Sequence, residues 1–479
     1  VGYSTDVLKL DFSSLYPSIQ LVHDVFPTCD ITGAMKGMLN YFRNTRIKYK
    51  NLAKEYADID KKQSTSYDRK QLPIKIFINS MFGALSAPQV YHWGDMYMGE
   101  QITCTGRQYL RQMLRFFMKR GYTPLVCDTD GMNFSLPEGG VDDRIYIGKG
   151  KNWLVKEGKE YKGYDADVAE FNDMFMKGAM GLDCDGTWKS CMNIARKNYA
   201  TMEHNGKIKL TGNSIKSKKL PLYIEDFLDK GIKMLLEGNG QQFVEWYYEY
   251  LEKIYNKQIP LMKIAQRAKV KLSIDDYKKR SKEKTKAGNE MSRMAHMELA
   301  IRDGIAVSLG DVIFYVNNGV KASHGDVQKV NKPKNGWKQE HIDSHFESYG
   351  VHPTDSMSSM IQLNCYRLNP TEVESNPNML GDYNVPRAVV TFNKRIEPLL
   401  IVFGEEVRNN LIVDKPEDRG MFTKEQCKLI NGVPFEPEDQ DSIEDLLTIT
   451  EQEMVYWEKR GINPEYIYEL AEEGWKKMV

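Results

Sequence analysis

The sequence predicts an α+β fold divided among more than one domain. Three observations carry this expectation: an apolar strand near the start, long helical stretches in succession, and an Asp-Thr-Asp-Gly turn between two further strands. The length of 479 residues also exceeds what a single hydrophobic core usually serves.

Taken in order, Val7, Leu8, Leu10 and Phe12 read as a short buried strand that ends near Asp11, and Pro17 breaks the pattern. Met35 to about Tyr56 reads as a very basic helix. Asp58 to Asp68 is polar and reads as a turn, after which Pro73 would open a second helix to about Leu85. The two helices would form an antiparallel hairpin. A third helix is expected over Met98 to Lys119, then strands at Thr123–Val126 and Asn133–Leu136 closed by Asp128-Thr129-Asp130-Gly131 as a β-hairpin. Tyr146 to Asp167 reads as a surface excursion, Leu220 to Tyr255 as mostly helical, Gly310 to Val316 as a strand and Asn331 to Trp337 as a loop.

Hydrophobic residues make up 41% and charged residues 28%, an ordinary globular balance. No apolar run is long enough to span a bilayer, and no secretory signal is present. Val1 in place of Met points to a fragment or a processed chain. The 66 basic and 66 acidic residues cancel, which by itself argues against a nucleic-acid partner. Local patterning argues the other way. Arg196 to Lys219 is strongly basic with Glu203 as its one acid, Lys263 to Lys286 is rich in Lys and Arg, and the tail after Thr423 is acidic. Seven cysteines show no C-x-x-C pair and no zinc spacing, so reduced thiols in a cytoplasmic compartment are expected.

The carboxylates are the candidate chemistry. Asp11 would end a strand beside the tip that carries Asp128 and Asp130, and residues two apart in extended backbone face the same way. Clustered carboxylates repel unless a cation lies between them, and magnesium favours a few carboxylates plus substrate phosphates. Taken alone, Asp-Thr-Asp-Gly is better read as a surface turn. On the second helix Lys75, Asn79 and Phe82 fall at i, i+4 and i+7, a cation, an amide and an aromatic on one face; on the first, Arg46 and Lys50 are i, i+4.

Asp11-Phe12-Ser13-Ser14-Leu15-Tyr16-Pro17-Ser18 resembles motif A of the family B DNA polymerases. Lys75 through Gly83, K-I-F-I-N-S-M-F-G, is similar to motif B, and Asp128-Thr129-Asp130 to the centre of motif C. Thr103 through Arg107 resembles the helix between motifs B and C, and Arg196-Lys197-Asn198-Tyr199-Ala200 the basic primer–template motif. The resemblance runs from Val1 to about Gly404. It implies a right-hand polymerase with an antiparallel palm sheet (1–33 and 91–220), helical-hairpin fingers (34–90) and a mainly helical thumb (221–404), followed by an acidic extension (405–479). It implies two Mg2+ ions on Asp11, Asp130 and the Phe12 carbonyl, with Asp128 as a supporting carboxylate and Asp183 and Asp185 as a further acidic pair. Ser14, Leu15, Arg46, Lys50, Lys75, Asn79 and Phe82 would bind the incoming dNTP, and Tyr16 would exclude a ribose 2′-OH. Arg196, Lys197, Tyr199, Lys216, Lys218 and Lys219 would hold primer–template DNA.

The departures are local. Val126-Cys127 and Gly131 flank the motif C aspartates where Tyr-Gly and Ser are usual, Phe82 replaces a Tyr, and Asn198 replaces an Arg. Family members usually carry an exonuclease before motif A, so proofreading would come from elsewhere, such as a separate chain; a sliding clamp is a further partner and no membrane is expected. The short fingers and the Gly310–Val316 segment resemble viral members, which would place the protein in a host cytoplasm. The competing expectation is a non-catalytic DNA-binding subunit of a split replicase.

Overall fold

The computed structural model describes residues 2–430, apart from 196, 213–219, 282, 284–291, 350–351, 353, 355–356 and 358. Arg196, Lys216, Lys218, Lys219 and most of the acidic extension therefore lie outside the described residues.

The architecture is α+β with antiparallel sheets. The chain enters through β1 (Gly2–Phe12), turns into α1 (Leu15–His23), and rises through α2 (Ala34–Glu55) and α3 (Lys61–Leu85) before α4 (Met96–Lys119). Then come β2 (Thr123–Asp128), β3 (Gly131–Ser135), a small hairpin of β4 (Ile145–Ile147) and β5 (Glu160–Lys162), and α5 (Tyr164–Phe175). β6 (Leu182–Ala195), β7 (Asn198–Met202) and β8 (Ile208–Thr211) complete a six-stranded sheet of order β2-β3-β1-β6-β7-β8.

β1 lies inside this sheet because its two faces differ. Leu8, Leu10 and Phe12 are fully buried, while Lys9 and Asp11 alternate with them on the other face. The buried face packs on α4 and α5 through Phe12, Tyr109, Phe116, Phe117 and Phe171. A second core joins α6 (Leu222–Leu236), α7 (Gly240–Tyr255) and the helix Val385–Ile396 through Phe227, Phe243, Tyr247 and Phe392. Met192, Ala200 and Met202 of β6 and β7 belong to it, so one sheet is shared by two cores. A three-stranded sheet of Cys365–Arg367, Val312–Asn317 and Gln266–Lys269 lies further along the chain.

The structure corrects the sequence reading in two places. The polar stretch Asp58–Asp68 is mostly helix: Asp60 caps α3 by accepting from the Lys62 and Gln63 N–H groups at 2.9 and 3.1 Å. Its polarity reflects exposure on a helix that stands away from the core. Pro73 accordingly lies inside α3 and does not open it. Its ring removes the bond to the Arg69 carbonyl, and since both residues are exposed water can take that bond's place. The expected excursion over Tyr146–Asp167 contains the β4–β5 hairpin and the start of α5, whose first turn carries Asp165 and Asp167 where the helix dipole favours acids. All seven cysteines are free thiols, and no described helix is long and apolar enough to cross a membrane.

Candidate active site

β1 delivers Asp11 between two neighbours. In the antiparallel ladders it faces Gly131 of β3 on one side and Asp183 of β6 on the other. Gly131 is required by close approach: a Cβ there would overlap Asp11 Oδ1 and crowd the Leu10 carbonyl. Its place after the motif C aspartates is thus the space that Asp11 occupies. At the β2–β3 tip Thr129 takes a left-handed conformation (φ 60°), and the Asp130 carbonyl accepts from the Phe12 N–H at 2.8 Å. That bond ties the Asp128–Asp130 tip to the Asp11–Tyr16 segment.

The left-handed Thr129 also undoes one expectation. Asp128 and Asp130 do not face the same way, because the backbone between them is not extended. Asp130 lines a cavity of about 530 Å³ with Asp11, whereas Asp128 lies outside it, half-exposed, with Lys197 Nζ at 3.3 Å from its Oδ1. Lys197 is itself left-handed (φ 60°) at the start of β7, and Tyr199 pairs within the sheet with Asn193 and Thr211.

The same cavity gathers the other sequence candidates. Phe12, Ser14, Leu15 and Tyr16 reach it from the β1–α1 junction, Arg46 and Lys50 from α2, and Lys75, Asn79 and Phe82 from α3. The junction turns sharply at Ser14 (φ 56°), which puts the first turn of α1 against the cavity. Helix starts carry N–H groups without intrahelical partners, a setting suited to anions. Arg46 donates one hydrogen bond to Ser14 Oγ and another to Gln71 Oε1 at 3.3 Å, which aims its guanidinium across the hairpin. The Tyr16 ring packs on Phe82 at 4.4 Å between centroids.

The charges are arranged for a cation and a polyanion together. Burial, then the negative charge of Asp11, raises the Asp130 carboxyl above its usual range, with Lys9 and Lys75 opposing. Burial also raises Asp11, against the pull of Lys9. Among the described residues no three His, Cys, Asp or Glu side chains form a ready metal cage. Four carboxylates (Asp11, Asp130, Asp183 and Asp185) line the cavity with four basic side chains, and Asp11 and Asp130 nonetheless fit a divalent ion that takes its other ligands from substrate phosphates. Asp183 faces Asp11 directly, a like-charge pair that destabilises a sheet, and Lys50 and Lys54 each stand 3.8 Å from it.

Two residues escaped the sequence reading. Lys9 sits two positions before Asp11 and was hidden by its apolar neighbours, although strand periodicity alone puts it on the Asp11 face. Arg43 reads in the sequence as one more charge on a basic helix, yet it is buried, donates to Ser18 Oγ at 3.3 Å and to the Ala179 carbonyl, and lies over the Trp153 ring. Burial lowers its pKa to about 10. It anchors the root of α2 to α1.

Residues 23–135 match the model for DNA polymerase family B. A DNA polymerase of Thermococcus sp. (strain 9oN-7) is 24% identical over 330 residues, covering 64% of this chain and 40% of the relative. DNA polymerase 1 of Pyrococcus abyssi (strain GE5 / Orsay) is 27% identical over 285 residues, covering 55% of this chain and 34% of the relative. Both are archaeal and not viral. The solved structure of the family B DNA polymerase from the hyperthermophilic archaeon Pyrobaculum calidifontis aligns at 18% identity and a TM-score of 0.46, over 66% of this chain and 40% of that one. This chain spans at most 40% of the length of these relatives. The family match lies across α2, α3 and the Asp128–Asp130 tip, and the two relatives each align to more than half of the sequence, so this part of the chain is similar to DNA polymerase family B.

Proposed function

We propose that this chain is the catalytic core of a template-directed DNA polymerase, adding dNTPs to a primer 3′-OH during DNA replication. The observation that carries the proposal is the convergence of motifs A, B and C on one cavity, with acidic residues from the sheet on one side and basic residues from α2 and α3 on the other. In this reading residues 1–33 and 91–220 are the palm, 34–90 the fingers and 221–404 the thumb.

The attacking group is the primer 3′-OH, so the protein must mainly position reactants and neutralise charge. Arg46 and Lys75 would take the triphosphate, Arg46 with the geometry to bind two oxygens at once. Asn79 and Phe82 would lie along the sugar and base. Tyr16, backed by Phe82, would fill the space of a ribose 2′-OH. Asp11 and Asp130 would hold divalent ions, Mg2+ by the oxygen-only chemistry of the site. Bound there, such ions lower the barrier by stabilising charge on the attacking and leaving oxygens. Lys197 and Tyr199, next to the cavity, would contact the primer–template duplex. Swinging of the α2–α3 hairpin about its Arg43 anchor would exclude water once a nucleotide binds.

The test is extension of a primed DNA template with Mg2+ and dNTPs, beside Asp130→Ala. Extension that falls about a thousandfold or more in the variant, with template binding kept, is expected. A wild-type chain that binds primed template without extending it would instead be a DNA-binding subunit.

A further inference from the structure

Lys9 occupies an unusual position for an ammonium. Lying two residues before Asp11 on β1, it leaves the same face of the strand. Its cross-strand partner is Gly186, which has no side chain and leaves room for the lysine stem. Between Lys9 and Leu10 the register slips: Lys9 pairs with Gly186 and Leu10 with Cys184, so Asp185 is the extra residue of a bulge in β6. Bulges re-aim side chains, and this one brings Asp185 to Lys9. Lys9 Nζ stands 2.6 Å from Asp11 Oδ2 and 2.6 Å from Asp185 Oδ2.

The bridge holds a charge in place. A single ammonium within 2.6 Å of both carboxylates stands where a bound cation would otherwise have to stand. Lys9 and Asp185 line both the central cavity and a neighbouring one of about 470 Å³ that includes Trp188, Tyr199 and Lys209. The bridge is therefore a partition between the two cavities.

We propose that Lys9 is a built-in cation that neutralises the Asp11–Asp185 pair and so withholds Asp185 from divalent ions, confining them to the Asp11–Asp130 side of the cavity. Two carboxylates this close need a positive charge between them. A tethered ammonium supplies it at high effective concentration, with no ion taken from solution. Lys9 is thus a positioning residue: it sets where ions bind and which carboxylates they bind. The inference rests on the reading of Asp11 and Asp130 as the ion-binding pair.

The experiment counts Mn2+ ions bound per chain by electron paramagnetic resonance titration, without nucleotide or DNA. Lys9→Met is expected to bind one more ion than the wild type, and the added Asp185→Asn change to abolish that gain. Lys9→Arg, which keeps the charge, is expected to keep the wild-type count. An unchanged count in Lys9→Met, or a gain that survives Asp185→Asn, overturns the proposal. Should Lys9→Met not fold, Asp185→Asn alone decides: the proposal requires the wild-type ion count, and a lost ion refutes it. A salt bridge that served stability alone would move the melting temperature and leave every count the same. Asp130→Asn in the same titration tests the underlying reading separately, since its failure to remove an ion would sink the ion-binding pair while leaving the Lys9 result to be judged on Asp185.

Discussion

Tyr16 shows how much one side chain can decide. Its ring is held by Phe82 from another element, so it cannot swing away without breaking an aromatic contact. In the proposed reading, a wall fixed in this way would exclude a ribose 2′-OH. Tyr16→Ala is expected to raise ribonucleotide insertion relative to deoxyribonucleotide insertion by about a hundredfold. Single-nucleotide incorporation with matched rNTP and dNTP measures it, and an unchanged ratio refutes the assignment. Asp11, Ser14 to Tyr16, Lys75, Asn79, Phe82 and Asp130 were legible in the sequence because each lies in a motif whose spacing survives folding. Asp128 was misread because a single left-handed residue, Thr129, reverses the direction that alternation predicts. Lys9 went unremarked because its partner Asp185 is 176 residues away and reaches it only through a bulge. No local pattern announces such an encounter.

Among the elements, α1 depends on a contact at its last turn. His23 Nε2 lies 2.9 Å from the Tyr109 hydroxyl of α4, and burial, helped by the charge of Lys177, lowers its pKa to about 4. The folded protein thus keeps His23 neutral where the unfolded chain, near the ordinary imidazole value of 6.5, already takes up a proton. Stability from this group is complete above the unfolded value and is lost as the pH falls from there toward the folded one. The loss is about 2–3 kcal/mol at most. His23→Gln should flatten the acid limb, read as the difference in urea midpoint between pH 7 and pH 4.5 set beside the wild type. An equally steep decline in the variant would assign the acid sensitivity to other groups. Helix periodicity found α2 and α4 within a residue or two, whereas the start of α3 was missed. Exposed helices carry no apolar face to read, and Asp60 signals a cap only once its neighbours are known to be helical.

At the scale of the molecule, the α+β class follows from alternation in β1 and from the paired helices, both local signals. The sharing of one sheet by two cores is not local. Met192 and Ala200 give no sign in the sequence that they share a core with Phe227 and Phe392, because a side chain's burial depends on which distant surface arrives to cover it. Nor does the sequence reveal why a glycine follows Asp130, a question that the packing around Asp11 answers. Position 131 thereby acquires an odd standing in any saturation mutagenesis of this chain. Gly131→Ala adds the smallest possible group, touches no substrate, and is expected to abolish primer extension as thoroughly as loss of the Asp11 carboxylate, while template binding in a gel-shift assay persists; retained extension would mean that Asp11 can retreat. A fitness map would then rank an empty space alongside the catalytic acids. In this chain the hole beside Asp11 then counts for as much as a carboxylate.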